Sequence, residues 1–265
     1  MGNIVLHQLK TQRKSLFFWS LGIVVLVALY ILIYPSIQES SAALNAYLEN
    51  LPDAIKAFVG DVSSYTTPVG YITSELFVFM MPLLLIIFTT GFGSGAIAGE
   101  EEKGTLDLLL TNPIERSQVV KEKFIAMIIL ASLLTAVASL ALIIGSALAD
   151  MGLETQKIVA MVLSVDLLAI AFGSIALFLG ALTGNRGVSL GITAALAIGS
   201  FFLNALSPLV DFLKDYQKFS PFYHYIGENP LEVGLKIDHV LILGGIAFVF
   251  LILSLIAFEK RDLKI

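Results

Sequence analysis

FIAMIILASLLTAVASLALIIGSALA, residues 124–149, runs for 26 residues without one charged side chain. As an α-helix it reaches roughly 39 Å at about 1.5 Å per residue, more than the ~30 Å hydrocarbon core of a bilayer. Five further apolar runs meet the same test: approximately Leu16 to Tyr34, Thr73 to Ala98, Ile158 to Thr183, Gly187 to Leu206 and Val240 to Phe258. With 57% hydrophobic and only 14% charged residues, the whole chain lies far from a soluble globular composition and reads as an integral membrane protein. Lys10, Arg13 and Lys14 precede the first run as they would in a secretory signal, but its apolar core exceeds the usual 7–15 residues, so it reads as a retained helix.

Charge sets the orientation and excludes some partners. Placing both termini in the cytoplasm puts eleven basic residues inside, including Lys10, Arg13, Lys14, Lys103, Arg116, Lys121, Lys123 and Arg186, against five outside: Lys56, Lys157, Lys214, Lys218 and Lys236. A net charge of −5 offers no cationic face for a phosphate backbone, so nucleic acid is not an expected partner. The absence of cysteine excludes disulfides and thiolate chemistry.

The most charged stretch of the interior precedes the quoted run: AGEEEKGTLDLLLTNPIERSQVVKEKF, Ala98 to Phe124. Thr105 can cap a short helix in which Leu106, Leu109 and Leu110 share one face, with Asp107 opposite. Asn112 reads as a second N-cap, with Pro113 at the first helical position and Glu115 three residues after the cap, before Lys121 and Lys123 lead into the third span. Two short amphipathic helices meeting at a break can lie in the headgroup layer with their leucines in lipid, or form a docking surface for another protein.

The run IAGEEEKGTLDLLLTNPIERSQVVKEK resembles the signature of ABC-2 type permeases, the membrane subunits of one class of ATP-binding-cassette exporters. The matching positions are Glu100, Glu102, Gly104, Thr105, Leu106, Leu109, Pro113, Arg116 and Lys123; Glu115 departs from the small polar residue common there. The resemblance covers nearly the whole chain, as a single ABC-2 type transmembrane domain over residues 1–265. It implies an all-α integral membrane fold of six transmembrane helices, with an N-terminal amphipathic interfacial helix and a cytoplasmic coupling segment between helices 2 and 3. It also implies a cytoplasmic ABC ATPase subunit carrying ATP and Mg, a second permease copy or homologous permease, contact with membrane lipid, export rather than import, and residence in a prokaryotic plasma membrane.

Other features fit this plan or remain open. Val5, Leu6 and Leu9 can form a lipid-facing stripe, with the neighbouring bases anchoring topology or meeting a partner. Pro35 to Gly70 suggests an amphipathic helix carrying Leu44, Leu48 and Leu51 beside Glu49 and Asp53. FSPFYHYIGENPLEVG resembles the family's outer loop of short helices, and its Phe219, Phe222, Tyr223 and Tyr225 suit an interfacial belt. Gly91, Gly95 and Gly99 form one small-residue ladder, and Gly187, Gly191, Ala195 and Gly199 a second. Both allow close approach of another backbone, in static packing or along a translocation path.

No nucleotide site is expected on this chain. There is no G-x-x-x-x-G-K-[ST]: GEEEKGT has its Lys before the second glycine, and GALTGNRG has none. GFGSGAIAG ends an apolar span rather than following a strand. The histidines, His7, His224 and His239, make no H-E-x-x-H, and His224 with Glu228 is a lone i, i+4 pair, so neither a metal nor an enzyme activity is expected. Two carboxylates fall within spans. Asp166, about 12 Å into the fourth by helical rise, is either hydrogen-bonded between helices or a proton or ion site. Glu75, near the outer end of the second, can snorkel to water. The alternative functions are an ATP-independent carrier using Asp166, and a membrane-embedded enzyme or scaffold.

Overall fold

A computed structural model describes residues 3–41, 52, 65–106 and 115–262, and among these it is all-helical. Among the described residues six helices are long and apolar enough to cross a membrane. They are α1 (Asn3–Glu39), α2 (Pro68–Ala96), α4 (Arg116–Leu148), α5 (Thr155–Thr183), α6 (Arg186–Leu206) and α10 (Ile237–Lys260). Between them lie α3 (Ala98–Glu102), α7 (Asp211–Lys214), a 3₁₀ turn at Gln217–Phe219, α8 (Pro221–Ile226) and α9 (Pro230–Val233). One end of the bundle, here proximal, gathers the start of α1, α3, the start of α4, the junction between α5 and α6, and the end of α10. The other, distal, holds α7 to α9.

The expected spans are present but longer, because charged first turns are tolerated where helices leave the apolar layer. α1 is one 37-residue helix of roughly 55 Å. The N-terminal stretch therefore continues the first span without a break, and its stripe is split: Leu6 is exposed, while Val5 and Leu9 pack against the core. α4 begins at Arg116, so Lys121 and Lys123 belong to the third span itself. The amphipathic helix expected around Leu44 to Asp53 lies outside the described residues.

α5 is the axis. Residues around its whole circumference are buried, and α2, α4, α6 and α10 pack on it. α2 and α5 approach backbone to backbone: a Cβ on Gly93 would meet the Gly173 carbonyl oxygen at 2.3 Å, and one on Gly173 would meet Thr89 Cβ at 2.9 Å. Thr89 adds a hydroxyl bond of 2.7 Å to the Ala169 carbonyl. Close contact thus uses Gly93, Gly173 and Gly180 rather than the two ladders read from spacing. Gly91, Gly191 and Gly199 face open space, Ala195 is exposed, Gly187 meets only its neighbour Asn185, and Gly95 and Gly99 lie against the Arg186 side chain. Among the described residues neither ladder receives another backbone.

A π-helical segment, Thr73–Met80, interrupts α2 just before Pro82. In that register the Met81 N–H reaches the Leu76 carbonyl, five residues back. Pro82 has no N–H for the next acceptor, Phe77. The freed Phe77 carbonyl accepts instead from the Tyr225 hydroxyl at 2.8 Å, which satisfies a tyrosine only 1% exposed and docks α8 on α2.

Candidate functional site: a glutamate turn joining the proximal helix ends

α2 passes into α3 at Ile97, and α3 presents Glu100, Glu101 and Glu102 in its single turn. The turn closes as a Schellman motif: Thr105 N–H bonds the Glu100 carbonyl (2.9 Å) and Gly104 N–H the Glu101 carbonyl (3.0 Å), with Gly104 at φ +65°. The Thr105 hydroxyl also donates to the Glu100 carbonyl, at 3.1 Å, so it points back at the glutamate turn.

Each glutamate addresses a different part of the bundle. Glu100 pairs with Lys123 of α4, an ammonium only 1% exposed, and accepts from the Gln8 side chain of α1 at 3.4 Å. Glu101 pairs with Arg261, which follows α10 and donates to the α5 carbonyls of Gly180 (3.3 Å) and Ala181 (2.9 Å). Glu102 accepts from the Arg186 backbone N–H at 2.9 Å, at the first turn of α6, where Asn185 supplies the ordinary N-cap.

Two more residues complete the arrangement. Glu122, 3% exposed, accepts from Ile4 N–H (3.0 Å) and Val5 N–H (3.4 Å), capping the free N-terminus of α1 from α4. Arg116 donates to the carbonyls of Phe258 (3.2 Å) and Arg261 (2.8 Å), and its guanidinium sits 5.7 Å from the Phe258 ring centroid. Acids therefore cap the N-termini of α1 and α6, and bases cap the C-termini of α5 and α10. Each charge opposes the helix dipole it meets, which is favourable by about 0.3–1 kcal/mol at a surface and more when partly buried.

The sequence singled out Glu100, Glu102, Gly104, Thr105 and Arg116, and the structure brings all five to this turn or its contacts. Spacing could not reveal Glu101, Glu122 and Arg261 because their partners lie 160, 117–118 and 80–81 residues away. Leu106 is 2% exposed and belongs to the core, so it is not part of an open docking face. The second short helix is also corrected: Glu115 is extended (φ −69°, ψ 143°) and precedes Arg116 as the N-cap residue of α4, so no helix capped at Asn112 carries it. Leu109, Leu110, Asn112 and Pro113 lie outside the described residues.

The other candidates are dispersed. Asp166 sits 11 residues into α5, about 16 Å deep and farther than the sequence placed it, because α5 starts at Thr155. The Ser132 hydroxyl of α4 donates to its Oδ2 at 2.8 Å, while Oδ1 is buried without a hydrogen bond. Glu75 is half-buried and accepts from the Tyr65 hydroxyl. Burial, reinforced by that carboxylate, raises the Tyr65 pKa and keeps the hydroxyl protonated. Phe222 and Tyr225 turn into the core instead of forming an interfacial belt, while Phe219 is exposed and Tyr223 half-buried. A cleft of about 340 Å³ between α2 and α6 is walled, among the described residues, by apolar side chains, including Phe79, Pro82, Ile86, Phe201, Phe202 and Phe222.

Fold and site together define a multi-pass membrane protein whose spans meet at one acidic turn. The chain belongs to the family described as ABC-2 family transporter protein, whose model matches residues 2–263. No curated protein gave a significant match to the chain.

Proposed function

We propose that this chain is the permease subunit of an ABC exporter, coupling ATP hydrolysis on a separate cytoplasmic ATPase to movement of cargo across the membrane. The observation that carries the reading is the glutamate turn. Leu106, immediately after it, leads into the segment that the family resemblance assigns to ATPase docking, so a push there acts on Glu100 to Glu102. Those three carboxylates hold α4 and α1, α10 and α5, and α6. A displacement of one turn is thereby shared by the whole proximal end. Separating Glu100 from Lys123, 1% exposed, would leave an uncompensated buried charge and is heavily penalised, so the two move together.

In this reading the proximal end is cytoplasmic, with both chain termini there, in a prokaryotic plasma membrane. ATP and Mg belong to the partner, and a second permease copy or a homologue completes the path. The exposed small-residue face of α6 is open to that second copy. The apolar cleft beside the π-helical part of α2 suits an apolar portion of the cargo, because moving a polar group there without a partner is unfavourable by several kcal/mol.

The test is co-purification from native membranes followed by reconstitution. A P-loop ATPase accompanies the chain, and the pair exports cargo only with hydrolysable ATP. In Glu101→Gln/Glu102→Gln the ATPase still binds but its turnover no longer drives transport. If no ATPase is retained by the unaltered chain, or transport proceeds without one, the reading falls.

A further inference from the structure

The distal end carries a second polar cluster that the permease reading does not use. His224, in α8, and His239, in the first turn of α10, are each about nine-tenths buried, with Nδ1 to Nδ1 at 2.9 Å. Only one hydrogen fits between two nitrogens at that distance.

The partners decide where protons sit. His224 Nε2 lies 2.8 Å from the Lys218 carbonyl, which only accepts, so Nε2 carries a hydrogen. Neutral His224 then has a bare Nδ1, and the bridging hydrogen belongs to His239 Nδ1. That leaves His239 Nε2, buried and without a hydrogen bond, with Glu228 Oε1 at 3.6 Å. Lys236 pairs with the other oxygen of Glu228 and lowers its pKa, holding it anionic. A proton on His239 Nε2 therefore meets an anion and leaves the bridge intact. A second proton, on His224 Nδ1, sets two N–H groups against each other.

We propose that His224 and His239 form a single-proton switch: the pair accepts one proton with α8 clamped to α10, and a second proton releases the clamp. The other groups around the pair fit this. Tyr223 stacks on both rings edge-on, and Asp238 precedes His239 on α10. α5 contributes uncharged Ser164, whose hydroxyl holds the Tyr225 carbonyl at 2.8 Å, while its Asp166 turns to Ser132 on α4. On α9, Glu232 is engaged by Asn229. α6 presents the Ser200 carbonyl, which accepts from Ser220 at 2.7 Å just before α8. A cavity of about 10 Å³, near the lower limit for one water, touches His224, Glu228 and His239.

Release matters because α8 also holds α2 through Tyr225 and packs Phe222 against Phe172 of α5 and Phe201 of α6. Two protons on the pair loosen the element that bridges these helices. That the protons come from outside the cell rests on the topology proposed above; the switch itself does not.

The experiment uses the full chain in lipid nanodiscs, with His7→Gln leaving only the pair, and follows ¹⁵N-imidazole resonances against pH. The expected result is two protonation steps about one pH unit or more apart, with Nδ1–H···Nδ1 coupling present through the first and lost in the second. Two rings titrating together as independent imidazoles overturn the switch. Because the chain lacks cysteine, Ser164→Cys then reports on α8. Its thiol labelling, normalised at each pH to the same cysteine in a His239→Gln background, rises by up to about tenfold per pH unit across the second step. A constant ratio overturns the clamp. Acid applied to one side of membrane vesicles of known sidedness separates the readings: a response only to acid on the cytoplasmic side leaves the switch standing and overturns the proposed topology.

Discussion

The two ends of the bundle are held by different chemistry. At the proximal end, carboxylates and guanidinium or ammonium groups cross between helices, several of them largely buried: Lys123 with Glu100, Arg261 with Glu101, Glu122 on the start of α1. At the distal end the buried ties between helices are neutral: the Tyr225 hydroxyl on Phe77, Ser164 on Tyr225, Ser220 on Ser200, and a shared hydrogen between two imidazoles, while the Lys236–Glu228 ion pair there is exposed. A buried charge that loses its partner is heavily penalised, whereas a neutral hydrogen bond is a net ~0.5–1.5 kcal/mol. On this contrast the proximal end should hold as a unit and the distal end should come apart in steps.

The largest expected effect breaks the stiff end. Glu100→Gln leaves Lys123 buried without its carboxylate, and the cost should be about 3–5 kcal/mol, read as a large fall in the unfolding midpoint in detergent. Restoring compatibility with Glu100→Gln/Lys123→Met should recover much of it, since a well-packed apolar pair is often no worse than a buried ion pair. If the single change is neutral, the proximal end is not charge-locked and the contrast fails.

Next is the joint between the ends. Gly93→Ala drives a methyl against the Gly173 carbonyl, backbone that cannot rotate away, and should destabilise by about 1–3 kcal/mol or more. Gly91→Ala, two residues earlier in the same helix and facing open space, should leave the isolated chain's stability unchanged or raise it by up to about 1 kcal/mol. Equal effects would mean that α2 and α5 do not meet as described.

That pair of glycines also shows what the sequence could and could not disclose. Six helices were legible because span length and apolarity are local properties of the chain. Their ends were misjudged where charges continue the helix, as at Arg116 to Lys123. The ladders of Gly91 and Gly191 were visible by period, yet period fixes only which residues share a face, and the neighbour comes from tertiary packing. The glutamate run stood out, but what it grips lies up to 160 residues away. His224 and His239 are 15 apart and looked unrelated.

A smaller effect probes the yielding end. Tyr225→Phe leaves the Phe77 carbonyl without a donor beside Pro82 and should cost about 1–3 kcal/mol. Acid should weaken the same end. Burial lowers the His224 pKa below the ordinary imidazole value of about 6.5, with the Lys218 carbonyl and Asp238 acting against that shift and His239 adding to it. Below about 6.5 the unfolded chain binds this proton more readily than the folded one, so the contribution is present above that pH and lost as pH falls through the depressed value. Hydrogen exchange at α8, compared with α3 at each pH to cancel the intrinsic rate, should therefore become less protected on acidification.

The smallest effect should come from Asp166→Asn, midway between the ends. Asn keeps the volume and an oxygen to accept from Ser132, so the α4 to α5 contact persists. The amide also removes any need to neutralise a carboxylate in hydrocarbon. If Asp166 serves packing, the variant should match or slightly exceed the parent in thermal stability, and ATP-driven transport should be unchanged. If it carries protons, stability should again hold while transport becomes insensitive to a proton gradient. Measuring both on the same preparation separates the roles, because the ATP-coupled reading places the work of transport at the glutamate turn and none of it at this carboxylate.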